Sequence, residues 1–483
     1  MFEFSHSFYR FPEEVNTRLD VLYNDAIYDD VYAEMDSSPF NFIPLSKGVD
    51  FLKDSRNPLL TPDEEFYYAE IGNVDIVKGK LGAVKMLGSE ATSSRTRRVM
   101  YKDNILVSTT RPTRKAIAKV PSSLDGEICS TGFAVLRSIP EILPDFLLFS
   151  LRSDVSKKQF ERYCTGAGYP AINQEKDLPK VLIPLLDKNE QELILSQVKR
   201  IQYHALRYEV LAKRVFEKTK TYFKEEINIP YDYENEKNYF HKSGFEKEKL
   251  SFHVFPENMD NRLNYLTYNP RLSVIDQLKT EYSTIKLSDI LTEPIKRGNQ
   301  PLYDETGSRK VIKTVDVSDE GINLEQCLSV EDDFFERSRE NYVVKGDILI
   351  TSTGIGSIGK ISIYNHDEPV LCDGHISIIR ISDEYSASFV CHFLRSHYGQ
   401  VQIESLFTGS SGQIELQPSD IGGIILPDSS DLGIPLSKQV EIAERMDDKL
   451  GLYFINRKQA EKKWIEADQR FEEYILGKIP LPY

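Results

Sequence analysis

The chain has 483 residues, which is enough for two or three domains. Hydrophobic residues make up 40% of it, charged residues 28% and aromatic residues 11%; these values are typical of globular proteins and exclude a disordered, collagen-like or disulfide-rich chain. The formal net charge is −15, so no global positive field attracts nucleic acid or anionic lipid, and any DNA contact must come from local charge.

The cysteines and the apolar segments indicate the cellular compartment. The five cysteines are odd in number and show no Cys-x-x-Cys spacing, which argues against a disulfide framework and against a thiolate zinc site. No basic start followed by an apolar block opens the chain, and no apolar run approaches the length of about 18 residues that a membrane span needs. We therefore expect a cytoplasmic protein that binds no metal and has no membrane partner.

The sequence contains an internal repeat, which decides how the fold is interpreted. Phe11-Pro12-Glu13 recurs as Phe255-Pro256-Glu257, 244 positions later. Between residues 102 and 184, 18 of 83 positions are identical to the residues 243 positions further on, several times what chance would give. Matched pairs include Cys129 and Cys372, Leu151-Arg152-Ser153 and Leu394-Arg395-Ser396, and Thr165-Gly166 and Thr408-Gly409.

Each copy begins with a mixed set of short elements. Runs of β-branched and apolar residues predict strands, and apolar residues at helical spacing predict short helices. The predicted strands are Asn104 to Thr109, Ile128 to Leu136, Asp347 to Ser352 and Leu371 to Ile379, and the predicted short helices are Phe146 to Arg152 and Phe389 to Arg395. Each copy is therefore expected to be an α+β module of about 190 residues.

Each copy ends in a long segment whose apolar residues alternate at spacings of four and three, as in a helix that packs along another helix. The first seam is Ile194, Val198, Ile201, Ala205, Tyr208, Ala212, Val215, Thr219 and Tyr222. The second is Ala443, Met446, Leu450, Tyr453, Arg457, Ala460, Trp464, Ala467, Phe471 and Tyr474, in which Arg457 alone breaks the pattern. A helix lying on its own domain would also have such a seam, but two seams of matched length favour a pair.

These features predict five parts along the chain. They are a first module at 1–190, a long helix at 191–227, a charged linker at 228–254, a second module at 255–438 and a C-terminal long helix at 439–477.

This organisation resembles the specificity (S) subunit of type I restriction-modification systems, and the resemblance spans nearly the whole chain. Besides the repeat, it rests on Arg18-Leu19-Asp20, Gly346-Asp347-Ile348-Leu349-Ile350, Gly354-Ile355-Gly356-Ser357-Ile358-Gly359, Thr408-Gly409-Ser410-Ser411-Gly412 and the passage from Ile425-Leu426-Pro427 to Gln439. The resemblance implies an α+β fold in which two target recognition domains are separated by two long antiparallel coiled-coil helices, with pseudo-two-fold symmetry.

The resemblance also implies a function without catalysis. Each domain would read one half of a split double-stranded DNA site, and the chain would direct adenine-N6 methyltransferase subunits, two in number, together with restriction subunits in systems that have them. AdoMet would be bound by the methyltransferase and no cofactor by this chain. Because the copies have diverged, we expect an asymmetric bipartite site. A methylation-based phage-defence complex, or a methyltransferase without a nuclease, would use the same architecture.

The first module contains a basic cluster that could contact DNA. Between Arg95 and Lys119 there are eight basic residues and one acid, Asp103, in a chain that is acidic overall. Guanidinium and ammonium groups neutralise phosphates, and arginine also reads guanine. The predicted DNA-binding residues are Arg95, Arg97, Arg98, Lys102, Ser108, Thr109, Arg111, Arg114 and Lys115. The same cluster of basic residues would also occur on a solvated surface without a partner, or on a patch that binds an acidic protein.

The equivalent interval of the second module is nearly neutral, so this module must use other residues. Candidates are Lys296, Arg297, Arg309, Lys310, Lys313, Ser352, Thr353, Ser357 and Lys360. Scattered lysines on an acidic domain can also serve solubility alone. The glycine-rich segments at Thr165 and at Thr408 could present backbone amides to phosphates or form structural hairpins.

Two other function classes are less well supported. Gly354-x-Gly356-x-x-Gly359 matches a dinucleotide-binding pattern, but the following residues alternate like a strand, where that fingerprint needs a helix. An enzyme with its own methyltransferase or nuclease site would need a catalytic tetrapeptide, an AdoMet segment or an acidic triad, and we find none. A coiled-coil scaffold that does not bind DNA remains the other alternative.

Overall fold

A computed structural model describes residues 23–482 apart from 92–93, 167, 230–240, 243–249, 252–269, 305–306, 319–320, 323, 355–356 and 410–413. Arg18-Leu19-Asp20, the segments at 11–13 and 255–257, and most of the predicted linker lie outside the described residues. The chain divides into two compact units. Unit 1 comprises the residues up to Val210 and those from Asn456 onward, and unit 2 comprises Leu211–Ile455.

Unit 1 is built from twelve described strands and four short helices. The strands are β1 (Asn41–Pro44), β2 (Val49–Leu52), β3 (Glu65–Ala69), β4 (Val74–Asp75), β5 (Lys80–Leu81), β6 (Val84–Leu87), β7 (Thr96–Val99), β8 (Ile105–Ser108), β9 (Ile117–Lys119), β10 (Ile128–Ser130), β11 (Phe133–Ser138) and β12 (Leu182–Leu185). The helices are α1 (Asp29–Ser37), α2 (Leu45–Gly48), α3 (Pro144–Arg152) and α4 (Asp154–Tyr163), and the long helix α5 (Lys188–Ile227) begins in this unit.

The sheets of unit 1 place β8 at the centre. The largest has the order β2-β11-β8-β9-β5-β4, a second has the order β6-β3-β10-β7, and β1 pairs with β12. All four residues of β8 are buried, as expected for a strand covered on both faces. Helix α3 starts with Pro144 in its first turn, and the hydroxyl of Ser153 caps α4 by accepting from the Ser156 amide.

Unit 2 repeats this plan. Its described strands are β13 (His241–Lys242), β14 (Leu250–Ser251), β15 (Thr284–Lys286), β16 (Lys296–Arg297), β17 (Arg309–Ile312), β18 (Leu328–Val330), β19 (Ile348–Thr351), β20 (Ile361–Ile363), β21 (Leu371–Cys372), β22 (Ile376–Ile379) and β23 (Ile425–Pro427). Its helices are α6 (Ser273–Glu281), α7 (Asp332–Arg337), α8 (Ala387–Arg395), α9 (His397–Ser405), α10 (Pro418–Ile421) and the first part of the long helix α11 (Leu436–Ile475). The sheet orders are β16-β22-β19-β20, β18-β17-β21, β15-β23 and β13-β14.

The two copies share individual hydrogen bonds as well as elements. In unit 1 the side chain of Gln159 donates to the carbonyl of Leu182 at 2.9 Å and accepts from its amide. In unit 2 Gln402, 243 positions later, makes the same two bonds with Ile425, at 2.9 and 2.8 Å. The predicted repeat and the predicted α+β class are therefore confirmed.

Two predicted strands were wrong in one respect. The runs from Ile128 to Leu136 and from Leu371 to Ile379 are each broken into two strands that belong to different sheets. In unit 1 the break is the turn at Gly132, whose amide is bound by the Ser130 hydroxyl at 3.2 Å. Periodicity cannot reveal such a break, because the residues on both sides are equally apolar and buried.

The long helices α5 and α11 each have 40 residues, about 60 Å at 1.5 Å per residue. In unit 1, the indole Nε1 of Trp464 donates to Glu209 at 2.9 Å. In unit 2, Phe216 stacks on Tyr453 with ring centres 5.0 Å apart, and Lys438 pairs with Glu226 at 2.8 Å. Within unit 2 later residues of α5 meet earlier residues of α11, so the two helices run antiparallel there.

The predicted seam residues line these helix contacts. In unit 1, Ile194, Val198, Trp464 and Phe471 are buried, whereas Ile201 and Tyr208 are half-buried. In unit 2, Met446 and Leu450 are buried, and Val215 and Tyr453 are half-buried. Arg457, the predicted break in the seam, is exposed.

Candidate nucleic-acid interface

Three segments of unit 1 meet at the end of β8. The amide of Thr109 donates to the carbonyl of Gly132 at 2.9 Å, which joins β8 to the turn between β10 and β11. The amide of Ile172 donates to the backbone carbonyl of Thr109 at 2.9 Å. The amide of Arg111 donates to the carbonyl of Pro170 at 2.7 Å. We call this arrangement of backbone bonds the unit 1 frame, because it fixes the positions of the side chains around it.

A hairpin beside the frame presents an aromatic ring to solvent. Thr165 and Ala171 exchange two backbone hydrogen bonds, each 2.9 Å long, so the segment between them projects as a loop. Tyr169 in this loop is 74% exposed. The guanidinium of Arg111 lies 4.3 Å from the centre of its ring, and Nη2 of Arg111 donates to the carbonyl of Gly168 at 3.2 Å. These contacts hold a cation and an aromatic face together at the surface.

Strand β7 brings further arginines to the same frame. The guanidinium of Arg98 donates to Gln174 at 3.0 Å, and Gln174 in turn donates to the carbonyl of Thr131 at 3.4 Å. The amide of Thr131 donates to the backbone carbonyl of Arg95 at 2.9 Å. Arg95 is exposed and Arg97 is half-buried. Hydrogen bonds thus join three of the predicted basic residues, Arg95, Arg98 and Arg111, to the frame, and Arg97 is next to Arg98 on β7.

The other predicted basic residues of unit 1 lie elsewhere. Lys102 is exposed near the opposite end of β8, where its amide is bound by Asp125 at 2.8 Å. Lys115 pairs with Asp154 at 2.9 Å, and the exposed Arg114 lines a cavity beside α4. The cluster that is continuous in sequence is therefore divided in space.

The hydroxyls at the strand ends are internal. Ser108 is fully buried and donates to the carbonyl of Thr110 at 2.7 Å, while Thr109 donates to Gly132 at 2.9 Å. In unit 2, Ser352 is also fully buried, and its hydroxyl lies 2.6 Å from that of Ser377. The prediction that Ser108 and Ser352 contact DNA through their hydroxyls is thus replaced by a role in holding the turns, because neither oxygen reaches the surface.

Unit 2 repeats the frame with different side chains. The amide of Ser352 donates to the backbone carbonyl of His375 at 2.7 Å, and the amide of Leu416 donates to the backbone carbonyl of Ser352 at 2.9 Å. The same two bonds occur in unit 1. Thr408 and Glu415 exchange backbone bonds of 2.9 and 2.8 Å and close the second hairpin. His375 stands at the position of Gly132, and its Nδ1 lies 2.7 Å from the hydroxyl of Thr353. We call this set of bonds the unit 2 frame.

The candidate DNA-binding residues of unit 2 also fall into two groups, one at the unit 2 frame and one away from it. Arg297 bonds to Glu415 and donates to the carbonyl of Leu416 at 3.1 Å, so it belongs to the frame. Ser357 bonds to the carbonyl of Thr353 at 3.1 Å, next to the frame.

The remaining candidates of unit 2 have other partners. Two of them lie over aromatic rings: Lys313 is 5.3 Å from the ring centre of Tyr303, and Arg309 is 5.2 Å from that of Phe335. Lys296 pairs with Glu293 at 3.0 Å, and Lys310 donates to the carbonyl of Cys327 at 3.2 Å. Lys360 is exposed and lines a cavity beside α5.

Sequence reasoning did not identify Tyr169 or His375 as residues of this surface. Tyr169 is a single aromatic residue in a glycine-rich segment, and His375 has no histidine counterpart in the first copy. The available signal was the repeat alignment, which places His375 opposite Gly132 between two strands.

The paired cysteines have no role at this surface. Cys129 and Cys372 are both buried, and burial raises the pKa of the Cys129 thiol to about 12, so it stays protonated near neutral pH. Burial likewise raises the pKa of Cys372. The segment after Gly354 continues as β20, a strand antiparallel to β19, which confirms that the glycine pattern does not open a helix.

Within the described part of the chain, no helix has the length and apolarity to cross a membrane. In the same part, no three histidine, cysteine or carboxylate side chains lie together as metal ligands would.

The chain is similar to several solved structures. One is the HsdS subunit from Thermoanaerobacter tengcongensis, with 19% identity over 91% of this chain and 97% of that chain and a TM-score of 0.37. The S subunit of the type I system from M. genitalium has 16% identity over 90% and 96%, with a TM-score of 0.39. The chain resembles type I specificity subunits.

A third similar chain comes from a structural study of complex assembly and conformational transition in a type I restriction-modification system. It has 21% identity over 90% of this chain and 97% of that chain, with a TM-score of 0.42. No protein-family model and no curated protein sequence matches this chain.

Proposed function

We propose that this chain is the specificity subunit of a type I DNA-modification complex, with each unit reading one half of a split DNA site. The observation that carries the proposal is the frame, which occurs in both units. The bonds from Thr109 to Gly132 and from Ile172 to Thr109 recur as those from Ser352 to His375 and from Leu416 to Ser352, with different surrounding side chains. A frame that keeps its backbone while exchanging its side chains is suited to reading different sequences on one scaffold.

The side chains at the two frames support two different readouts. The unit 1 frame has three arginines, with Arg97 next to them on β7, and an exposed tyrosine; these groups suit phosphate neutralisation, guanine contacts and stacking. The unit 2 frame has His375, Thr353 and an Arg297 that is already paired with Glu415. Unit 2 therefore offers mainly hydrogen-bonding groups and less net charge. The proposed DNA site is accordingly asymmetric and bipartite.

We place catalysis on the partner proteins. Adenine methylation needs a methyltransferase that binds AdoMet and receives the extruded base, and this chain would hold the duplex meanwhile. The proposed partners are double-stranded DNA, two methyltransferase subunits and, where the system restricts DNA, restriction subunits. Exposed apolar residues at helical spacing on α5 in unit 1, Tyr203, Leu206 and Val210, are suited to contact a methyltransferase subunit.

Labelled methyl transfer tests this proposal. The purified chain, the methyltransferase encoded beside it, and both together are incubated with duplex DNA and labelled AdoMet. We expect transfer to adenine only when both proteins are present. Sequence-independent transfer by the methyltransferase alone, or transfer by this chain alone, would overturn the assignment.

A further inference from the structure

The loop between β8 and β9 in unit 1 holds two long side chains on a left-handed backbone. Arg111 has φ 49° and ψ 51°, and Lys115 has φ 56° and ψ 31°. Residues with a Cβ atom rarely adopt this conformation, because the Cβ lies too close to the following carbonyl oxygen, whereas glycine adopts it freely. Each of these two residues therefore lowers the stability of unit 1 relative to a glycine at the same position.

The repeat shows which residues the second copy uses at these two positions. In unit 2 the loop between β19 and β20 has positive φ at Gly354, 97°, and at Gly359, 81°. Gly354 stands 243 positions after Arg111, and Gly359 stands 244 positions after Lys115. The second copy thus has glycine at both left-handed positions, and the first copy has a basic residue at both.

The pairing of the strands supports this alignment of the two loops. In unit 1, Val107 of β8 faces Ile117 of β9. In unit 2, Ile350 of β19 faces Ile361 of β20. The displacement between the copies is therefore 243 positions before the loop and 244 positions after it, so the loop of unit 2 has one additional residue.

The two strained residues of unit 1 have different surroundings. Lys115 lies away from the unit 1 frame, where it pairs with Asp154 at 2.9 Å. Arg111 belongs to the frame, and its guanidinium lies 4.3 Å from the ring centre of the exposed Tyr169 and donates to the carbonyl of Gly168 at 3.2 Å. Within the described part of the chain, no carboxylate pairs with Arg111. The strain at Arg111 therefore keeps a guanidinium without a carboxylate partner beside an exposed aromatic ring.

We propose that Arg111 reads a guanine in the DNA half-site of unit 1, and that its left-handed backbone is retained because it directs the guanidinium to that base. A guanidinium can donate two parallel hydrogen bonds to O6 and N7 of guanine. The contacts with Tyr169 and Gly168 hold the group in place before DNA binds, which lowers the cost of ordering it. Gly354 has no side chain, so unit 2 cannot make this contact. The inference rests on the proposed function, since it names one base contact of unit 1.

Thermal unfolding of the full-length chain, followed by the fluorescence of the buried Trp464, tests the strain. Arg111→Gly and Arg111→Ala both remove the guanidinium, but only the alanine keeps a Cβ atom. The glycine variant should melt at least about 2 °C above the alanine variant. Lys115→Gly should likewise melt at least about 2 °C above Lys115→Ala, because the backbone is left-handed there as well.

DNA binding tests the base contact and separates the two strained residues. The complex of this chain with the methyltransferase encoded beside it is used, with a duplex that carries the motif it methylates. Arg111→Gly should weaken binding by about tenfold and accept other bases at one guanine of one half-site. Lys115→Gly makes the same backbone change away from the frame and should leave affinity and motif unchanged.

Replacement of that guanine by 7-deazaguanine removes the N7 acceptor without changing base pairing. This duplex should bind the parent complex more weakly than the unmodified duplex does. The Arg111→Gly complex should bind both duplexes equally, because the donor to N7 is already absent. A loss of equal size in the two complexes would show that another residue contacts N7 and would overturn the proposal.

Other outcomes would also overturn the proposal. Unchanged affinity and an unchanged split motif in Arg111→Gly would exclude the guanine contact and leave the proposed function intact. Equal melting of Arg111→Gly and Arg111→Ala would exclude the strain. An equal loss of affinity in Lys115→Gly would assign the effect to the loop as a whole. A parent complex that binds DNA without sequence preference would overturn this proposal together with the proposed function.

Discussion

Nη2 of Arg152 donates to Oδ2 of Asp468 at 3.0 Å, and the Arg152 side chain is 2% exposed. The same guanidinium donates to the carbonyls of Ile76 and Val77, at 3.1 and 2.8 Å. This ion pair joins α3 to α11 inside unit 1. Because it is buried, removing one partner leaves an uncompensated charge away from water.

Asp468→Asn should therefore destabilise unit 1 by about 3 kcal/mol. Trp464, the sole tryptophan of the chain, is buried in unit 1 and reports its unfolding by fluorescence in urea. Lys180→Ala is the matched control, because it removes an exposed pair with Asp177 and should cost less than about 1 kcal/mol. Equal losses in the two variants would contradict the role given to the buried pair.

The position of Arg97 predicts a DNA-binding defect. Arg97→Ala should weaken duplex binding and reduce the steepness of its salt dependence, because one phosphate contact is lost. Lys102→Ala removes a charge near the opposite end of β8 and should have a smaller effect. Binding is measured by fluorescence anisotropy over a range of salt concentrations. If the two variants are indistinguishable, the frame is not the DNA surface of unit 1.

The exposed ring of Tyr169 predicts that stacking on a base contributes to DNA affinity. Tyr169→Ala should reduce DNA affinity by about 1–3 kcal/mol if the ring stacks on a base. Tyr169→Phe keeps the ring and its contact with Arg111 and should retain most of the affinity. An alanine variant that binds DNA as tightly as the parent would show that the hairpin does not contact the duplex.

His397 predicts a pH-dependent stability of unit 2. Burial, with the nearby charges of Arg271 and Lys224, lowers the pKa of His397 to about 4, below the value of about 6.5 for an unperturbed histidine. Between these two values the unfolded chain binds the proton more readily than the folded chain. This contribution to stability is therefore lost as the pH falls from about 6.5 to about 4.

Scanning calorimetry at about pH 7 and about pH 5 measures this effect. The drop in melting temperature between the two conditions should be smaller in His397→Gln than in the parent chain. His204→Gln, at an exposed position of α5, should behave like the parent. An equal drop in all three proteins would rule out a contribution from His397.

The sequence predicted those features that repeat along the chain. The displacement of 243 residues located β8 and β19, α3 and α8, and the alternating spacing located the helix seams. These predictions worked because each depends on local periodicity or on identity between the copies.

What the sequence could not predict depends on residues that are distant in the chain. Lys115 pairs with Asp154 away from the unit 1 frame, whereas Arg98 bonds to Gln174 at the frame. The equivalence of Phe471 and Phe223 was hidden as well, because these two residues are 248 positions apart, whereas their partners Phe146 and Phe389 are 243 positions apart.

Sequencing of N6-methyladenine in a host that expresses this chain with its neighbouring methyltransferase tests the central claim most directly. We predict methylation at one split motif with two different half-sites, absent without this chain, and relaxed in one half only by Arg97→Ala. An unchanged methylation pattern in cells that lack this chain, or a single uninterrupted motif, would contradict the account.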